Sequence, residues 1–301
     1  MQSQKHTPLK WLLAGLFFAM LWPSAATATK IGLTVAQPLV IAIVRFAMAS
    51  ALLLIIAHII KGSRLPQGEE WKQLAIYGLL NITIYLGCYV TAMKYITAGI
   101  GSLGVATNPV FISFLSVFLL KKKLEWPIIA SLIICTLGVT CAAWPLLQTA
   151  TVTTGGLLLL LFIMLCYSAG AIYFSSKKWN NLSLLVINGW QTFFGGLFLL
   201  PVVLLFYNPA QNHFTHDFWI SVSWLAIPVS IIAVQLWLWL LNINPVRAGL
   251  WLFLCPIFGY LAAMFWMKDT ISIYTIIGMT LVIGGLLLSK LNTRKNEVVF
   301  D

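Results

Sequence analysis

Ten stretches of about 20 apolar residues, set apart by short charged connections, constrain this chain more than anything else in it. The apolar spans run over about 11–29, 38–60, 74–93, 95–120, 126–147, 155–176, 183–206, 218–241, 246–267 and 271–289. Each is long enough to cross the hydrocarbon core of a bilayer as a helix. Within them the only Asp, Glu, Lys or Arg residues are Arg45 and, at the edge of the ninth, Arg247. Strands of a membrane barrel would be about 10 residues of alternating character, which these are not. The chain has 301 residues, of which 60% are hydrophobic and 8% charged. A soluble domain carries about 25% charged residues. Ten helices and their connections use nearly the whole chain and leave no room for a soluble catalytic domain.

The net charge of +11 does not point to nucleic acid, because the basic residues flank apolar spans instead of forming one patch. With the N-terminus placed in the cytoplasm, fourteen basic residues fall inside: Lys5, Lys10, Lys61, Arg64, Lys72, Lys121, Lys122, Lys123, Lys177, Lys178, Arg247, Lys290, Arg294 and Lys295. Three fall outside: Lys30, Lys94 and Lys268. That asymmetry predicts both termini in the cytoplasm. Lys5, Lys10, an apolar run and Ala26-Thr27-Ala28 resemble a secretory signal. A retained first helix is the expectation, because its removal would leave an unpaired repeat.

A shift of 147 residues lays Pro109 on Pro256, Phe118 on Phe265, Lys121 on Lys268 and Gly138 on Gly285. The chain therefore reads as two five-helix copies, residues 11–147 and 155–290, between cytoplasmic tails 1–10 and 291–301. Five is odd, so the copies lie in opposite orientations, the usual architecture of secondary transporters. The expected fold is all-α and integral to the membrane, with ten helices in two inverted repeats.

Catalytic signatures are missing. The sequence has no G-x-S-x-G, H-E-x-x-H, P-loop or dinucleotide fingerprint, and no cofactor is expected. Cys88, Cys135, Cys141, Cys166 and Cys255 all lie in apolar windows, without a Cys-x-x-Cys pair. They read as small buried thiols, not as a disulfide framework or metal site. His213, His216 and Asp217 share a loop and read as solvated. Glu69, Glu70, Glu125, Asp217, Asp269, Glu297 and Asp301 all lie in loops or tails. A membrane carboxylate that alternates between proton and cationic substrate is thus missing, and an anionic or zwitterionic substrate fits better.

Arg45 lies about 10 Å along its helix from Pro38 at 1.5 Å per residue. A charge there should face protein or water. It reads either as an anchor for a carboxylate or phosphate or as a structural or snorkelling Arg. Pro109 and Pro256 read as matched helix kinks flanking a central site, with Asn108 marking a polar break at the first. Trp22, Tyr85, Tyr89, Asn108, Tyr167, Gln191, Gln235 and Trp251 lie mid-span, as do Ser168, Asn188 and Trp239. They read as interhelical contacts or as the lining of an amphipathic cavity.

With these features the chain resembles the EamA-type family of the drug/metabolite transporter superfamily. The resemblance covers about residues 11–290. It is carried by Leu21-Trp22 through Lys30, Pro38 through Arg45-Phe46, Asn108-Pro109 with the run to Lys121–Leu124, Gln191 through Pro201, Pro245 through Lys268-Asp269, and Gly284-Gly285. Two departures stand out. Trp22-Pro23 replaces a common Trp-Gly, which puts the course of the first helix in question where the cavity should form. Lys121-Lys122 replaces a common Gly-Glu, which removes a loop-capping contact. The resemblance implies a central cavity lined by helices 1, 3, 4, 6, 8 and 9. It also implies export of amino acids or related metabolites across an inner membrane. The expected partners are a small-molecule substrate and the lipid bilayer, with a homodimer left open. Export of neutral drugs or aromatic compounds, import, and a scaffold role remain the alternatives.

Overall fold

The computed structural model describes residues 8–95, 104–121, 123–149, 154–259 and 273–291. The start of the expected fourth span, the end of the ninth with Lys268-Asp269, Lys122, and residues 1–7 and 292–301 of the tails lie outside them. Every regular element among the described residues is helical. In chain order these are α1 (Leu9–Leu33), α2 (Pro38–Ile60), α3 (Glu69–Ala92), α4 (Asn108–Leu120), α5 (Trp126–Thr149), α6 (Thr154–Ser176), α7 (Leu184–Phe206), α8 (His216–Ile243), α9 (Pro245–Gly259) and α10 (Ile273–Leu291). Six of them, α1 to α3 and α6 to α8, are long and apolar enough to cross a membrane. The other four contain shorter apolar helices. Helix is the expected answer for such sequence, because in hydrocarbon every backbone N–H and C=O must bond within its own segment.

The helices are not uniform rods. α1 breaks at Trp22-Pro23 into Pro8–Leu21 and Ser24–Leu33. Pro23 cannot donate to the ladder, and the turn is closed instead by Ala26 N donating to Pro23 O and Ser24 Oγ donating to Leu21 O. α3 and α8 each contain a π-helical segment, at Leu79–Leu86 and Leu225–Ala233. Adding 147 to the first gives 226–233, so the two irregular segments lie at the offset read from the sequence. A third π segment, Ile55–Ile60, ends α2.

Pro109 does not act as a kink inside a continuous helix, whereas Pro256 lies within the helical run of α9. Pro109 stands in the first turn of α4, after turn residues at 106–107. Pro256 stands in the first turn of the helix over 255–259, after a 3-10 segment at Trp251–Leu254. In a first turn the missing N–H is one the helix leaves unpaired anyway. Pro109 starts a helix, and Pro256 marks where α9 returns from 3-10 to α winding.

α5 and α10 pack through glycine. A β-carbon on Gly138 would lie 2.8 Å from Gly278 O, and one on Gly285 would lie 2.5 Å from Cys135 Sγ. Cys135 Sγ contacts Val282 O, and Cys141 Sγ contacts Tyr274 O. Residues rising along α5 meet residues falling along α10, so the two helices run antiparallel. Close backbone approach of this kind supplies the packing that membrane helices need where the hydrophobic effect no longer drives association.

Two sets of polar contacts join the first half of the chain to the second, at opposite ends of α2. At its N-terminal end, Gln37 Oε1 accepts from Asn208 N and Asn212 Nδ2, both at 2.8 Å. Gln37 Nε2 donates to Phe206 O at 2.9 Å, and His213 N donates to Val35 O. Beyond its C-terminal end, Arg64 grips Glu70 through two bonds of 2.7 Å and also donates to Asn180 O at 2.8 Å. Glu70 accepts a further bond from Gln67 N. Asn180 and Asn181 hold the left-handed backbone that short amide side chains tolerate. The bundle is thus fastened at both ends.

Two outcomes follow from this packing. Gly278→Leu forces a side chain onto Gly138 O and Ala142 and should lower stability by about 1–3 kcal/mol, read as a lower unfolding temperature of the detergent-purified protein. Arg64→Ala should cost more folded protein than Glu70→Gln. The first leaves a carboxylate that is 3% exposed without its partner, whereas the second leaves a guanidinium that is 37% exposed and reaches water. Equal losses in the two variants would contradict the pairing.

Candidate functional site

The break in α1 opens a narrow recess in the interior. It is lined by Trp22, Pro23 and Ala25 of α1, Arg45 of α2, Tyr85, Leu86 and Tyr89 of α3, Val105, Val229 of α8 and Cys255 of α9. Trp22 stands in the turn itself and is 6% exposed.

Arg45 is the charge in this lining. It is 1% exposed and stands 5.6 Å from the ring centroid of Phe46. Its Nε donates to Ser230 Oγ at 2.8 Å, while Nη2 is buried with no hydrogen-bond partner. Among the described residues the ion pair is Arg64–Glu70, so Arg45 has no carboxylate. A buried charge needs both a counter-charge and full hydrogen bonding to offset its desolvation. This guanidinium is half held and presents donors that a carboxylate would match.

A relay of amides holds Arg45 in place. Ser230 O accepts from Asn188 Nδ2 at 3.0 Å, and Asn188 Oδ1 accepts from Gln191 Nε2 at 3.2 Å. Gln191 Oε1 in turn accepts from Asn81 Nδ2 at 3.1 Å. Both ends of the relay, Asn81 and Ser230, lie in the two π segments. A π-bulge shifts the α-helical bonding register by one residue, which re-aims side chains and frees backbone carbonyls, and such bulges concentrate at functional sites. The carbonyl of Ser230 is used in this way.

The aromatic residues form a wall behind the recess. Tyr167 of α6 lies with its ring 4.5 Å from that of Tyr85 and 6.0 Å from that of Trp22. Trp237 stacks on Tyr167 at 5.7 Å and on Phe18 at 5.0 Å. Tyr85 and Tyr89 are 6.0 Å apart. Indole and phenol rings give such a wall apolar faces with a few polar edges, the usual make-up of a small-molecule site.

Of the residues singled out in the sequence, Trp22, Arg45, Tyr85 and Tyr89 meet in the recess. Tyr167 backs it, and Gln191 reaches it through the relay. Asn108 is fully buried elsewhere, between Met164 Sδ and Ser168 Oγ. Trp251 packs 5.0 Å from Trp11 and fills the space that Gly15 leaves open. Gln235 is half-buried, with Oε1 unpartnered. Ser230 belongs to the site without having drawn attention, and Cys255, read from the sequence only as a small buried thiol, lines it. Each is a small residue in an apolar run, where its partner cannot be read. Among the described residues no group of His, Cys, Asp and Glu could hold a metal ion.

The description of the EamA-like transporter family matches this chain twice, over residues 9–144 and 154–291. The uncharacterized transporter YoaV of Bacillus subtilis is 22% identical over 96% of this chain and 100% of its own length. The uncharacterized inner membrane transporter YedA of Escherichia coli is 34% identical over 38% of this chain and 39% of its own. An uncharacterized transporter of Archaeoglobus fulgidus is 29% identical over 45% of this chain. The chain spans about half the length of that archaeal relative. A solved crystal structure aligns over 95% of the chain and 97% of its own, at a TM-score of 0.77 and 18% identity, which shows a shared fold. The chain is thus a membrane protein with several helical spans, and it belongs to the EamA-like transporter family.

Proposed function

We propose that this protein is a secondary transporter that exports a small carboxylate-bearing metabolite, an amino acid or a derivative, across the inner membrane by alternating access. The observation that carries the reading is Arg45: a buried guanidinium, half satisfied by Ser230, in the wall of an aromatic recess. A substrate carboxylate completes its bonding, and the flanking rings accept the apolar part of the molecule. A bound anion raises no conflict, because the described helices offer Arg45 no competing carboxylate.

In this reading the ten helices all span the bilayer, with both termini in the cytoplasm. The end of the bundle holding Arg64 and Asn180 then faces the cytoplasm, as the positive-inside distribution requires. The five-helix halves, 11–147 and 155–290, are inverted copies. The antiparallel glycine crossing of α5 on α10 and the π segments spaced by the repeat offset support this. Rocking one half against the other would release the Gln37 contacts or the Arg64 contacts in turn.

The aromatic wall supports a second reading, transport of neutral aromatic compounds, in which Arg45 is structural. One comparison separates them. Cells making the parent protein are set against cells making Arg45→Met at equal membrane levels, and their spent media are profiled for metabolites. Arg45→Met keeps much of the side-chain volume without the charge. It should fold at least as well as the parent, and it should abolish the external enrichment of a carboxylate-bearing compound. Export of that compound at the parent level by Arg45→Met would sink the proposed role. Enrichment of neutral aromatic compounds alone would favour the second reading.

Cys255 provides a further check. Its thiol lines the recess but is fully buried. Export should survive Cys255→Ser and fall steeply in Cys255→Phe, whose ring fills the recess, as measured in the same medium profile.

A further inference from the structure

The helix that brings Tyr85 and Tyr89 to the recess carries polar residues at every fourth position: Gln73, Tyr77, Asn81, Tyr85 and Tyr89. At 3.6 residues per turn, a four-residue step overshoots one turn by about 40°, so in a regular α-helix this row would wind about 160° around the axis. The π segment Leu79–Leu86 lies in its middle. Its i→i+5 bonding winds more slowly, so four residues there fall short of a turn and offset the overshoot on either side. The row consequently stays inside the bundle. Tyr77 is 0% exposed, Asn81 5%, Tyr85 1% and Tyr89 6%, and Gln73 Oε1 is shut off from solvent.

The upper part of the row has partners already described: Tyr89 and Tyr85 line the recess and Asn81 ends the amide relay. The lower part has none. Tyr77 Oη and Gln73 Oε1 are buried, one turn apart, and make no hydrogen bond. Leaving such groups dry and unpaired costs a folded protein their full desolvation. The ring of Tyr77 touches those of Phe174 and Trp179 at 5.5 and 6.4 Å, and these two are 5.5 Å apart. Gly170 faces the same place, and a β-carbon there would meet Tyr77 and Asn81 at 3.7 Å and Leu80 at 3.8 Å, so α3 and α6 leave room for a methyl group beside Tyr77.

We propose that this row is the polar track along which the substrate crosses the bundle, and that Gln73 and Tyr77 form a second binding station near the Arg64 end. The proposal rests on the transport reading given above. Both free oxygens accept hydrogen bonds, and the clustered rings of Tyr77, Phe174 and Trp179 suit a cation. The station therefore takes the ammonium end of a zwitterion, as Arg45 takes its carboxylate end. Tyr77 and Tyr85 are eight residues apart, about 12 Å along the helix. A small molecule occupies the two stations in succession, not together.

Two variants test this. Tyr77→Phe keeps the ring and removes the hydroxyl. It should raise the unfolding temperature, since an unpartnered group is lost. It should also lower efflux of an amino-acid mixture from proteoliposomes by about tenfold, the loss of one hydrogen bond to a charged group. A purely structural tyrosine would move the two readouts differently. Parent-level efflux in Tyr77→Phe overturns the station, and a lowered unfolding temperature shows that the hydroxyl already has a structural partner and overturns it too. The second variant needs no substrate. Tyr77→Cys should react with the water-soluble reagent 2-(trimethylammonium)ethyl methanethiosulfonate, above the background of the native cysteines, faster than Leu79→Cys on the exposed side of the same helix. Labelling no faster than Leu79→Cys overturns the track. Parent vesicles that release none of the amino acids would remove the amino-acid reading instead, and the labelling result would still decide the track.

Discussion

A guanidinium placed inside a bundle of apolar helices sets the terms for the elements around it. Arg45 can neither reach water nor find a carboxylate among the described residues. What keeps it in place is one hydroxyl, Ser230, and behind that hydroxyl a line of amides through Asn188 and Gln191 to Asn81. The line crosses α2, α8, α7 and α3, so four helices are held in register by the needs of one charge. Removing a charge of this kind often stabilises a fold. The same charge stands in a recess ringed by Trp22, Tyr85 and Tyr89.

The relay depends on helices that depart from regular winding. Both of its ends stand in π segments, at equivalent places in α3 and α8. The two halves share this backbone irregularity but not the side chains on it. α3 carries a row of five polar residues at four-residue spacing, whereas the positions 147 residues later are Ile220, Trp224, Pro228, Ile232 and Leu236. Repetition supplies the frame and the hinge-like irregularities. Divergence within it turns the equivalent positions Ile220, Trp224 and Ile232 to the outside of the bundle, while the second half contributes polar groups to the interior from Asn188, Gln191 and Ser230.

A similar division separates the ends of the bundle from its middle. The ends are closed by complete hydrogen-bond sets around Gln37 and around Arg64. The middle retains unpartnered polar atoms on Arg45 and Tyr167, and Tyr77 carries another toward the Arg64 end. The seam of α5 and α10 packs closely through glycine, and the unpartnered groups of Arg45, Tyr77 and Tyr167 lie apart from it. Sites that must bind and release a ligand commonly lie at the less stable end of a fold's range.

Much of this was written in the chain itself. Lipid solvation acts on each segment locally, so the ten apolar windows, the all-helical class and the isolation of Arg45 follow from composition alone, and the 147-residue offset follows from comparing the chain with itself. Trp22, Tyr85 and Tyr89 were visible as polar or aromatic residues in apolar runs. Their convergence was not, and neither was the separation of Asn108 and Trp251 from them. Only tertiary structure decided that Pro23 breaks a helix while Pro109 begins one and Pro256 follows a 3-10 segment inside α9, that π winding keeps Gln73 to Tyr89 on one face, and that Ser230 holds Arg45. The physical reason is distance along the chain: Arg45 and Ser230 are 185 residues apart, and a hydrogen bond between a charge and one serine among many leaves no periodic trace in either segment.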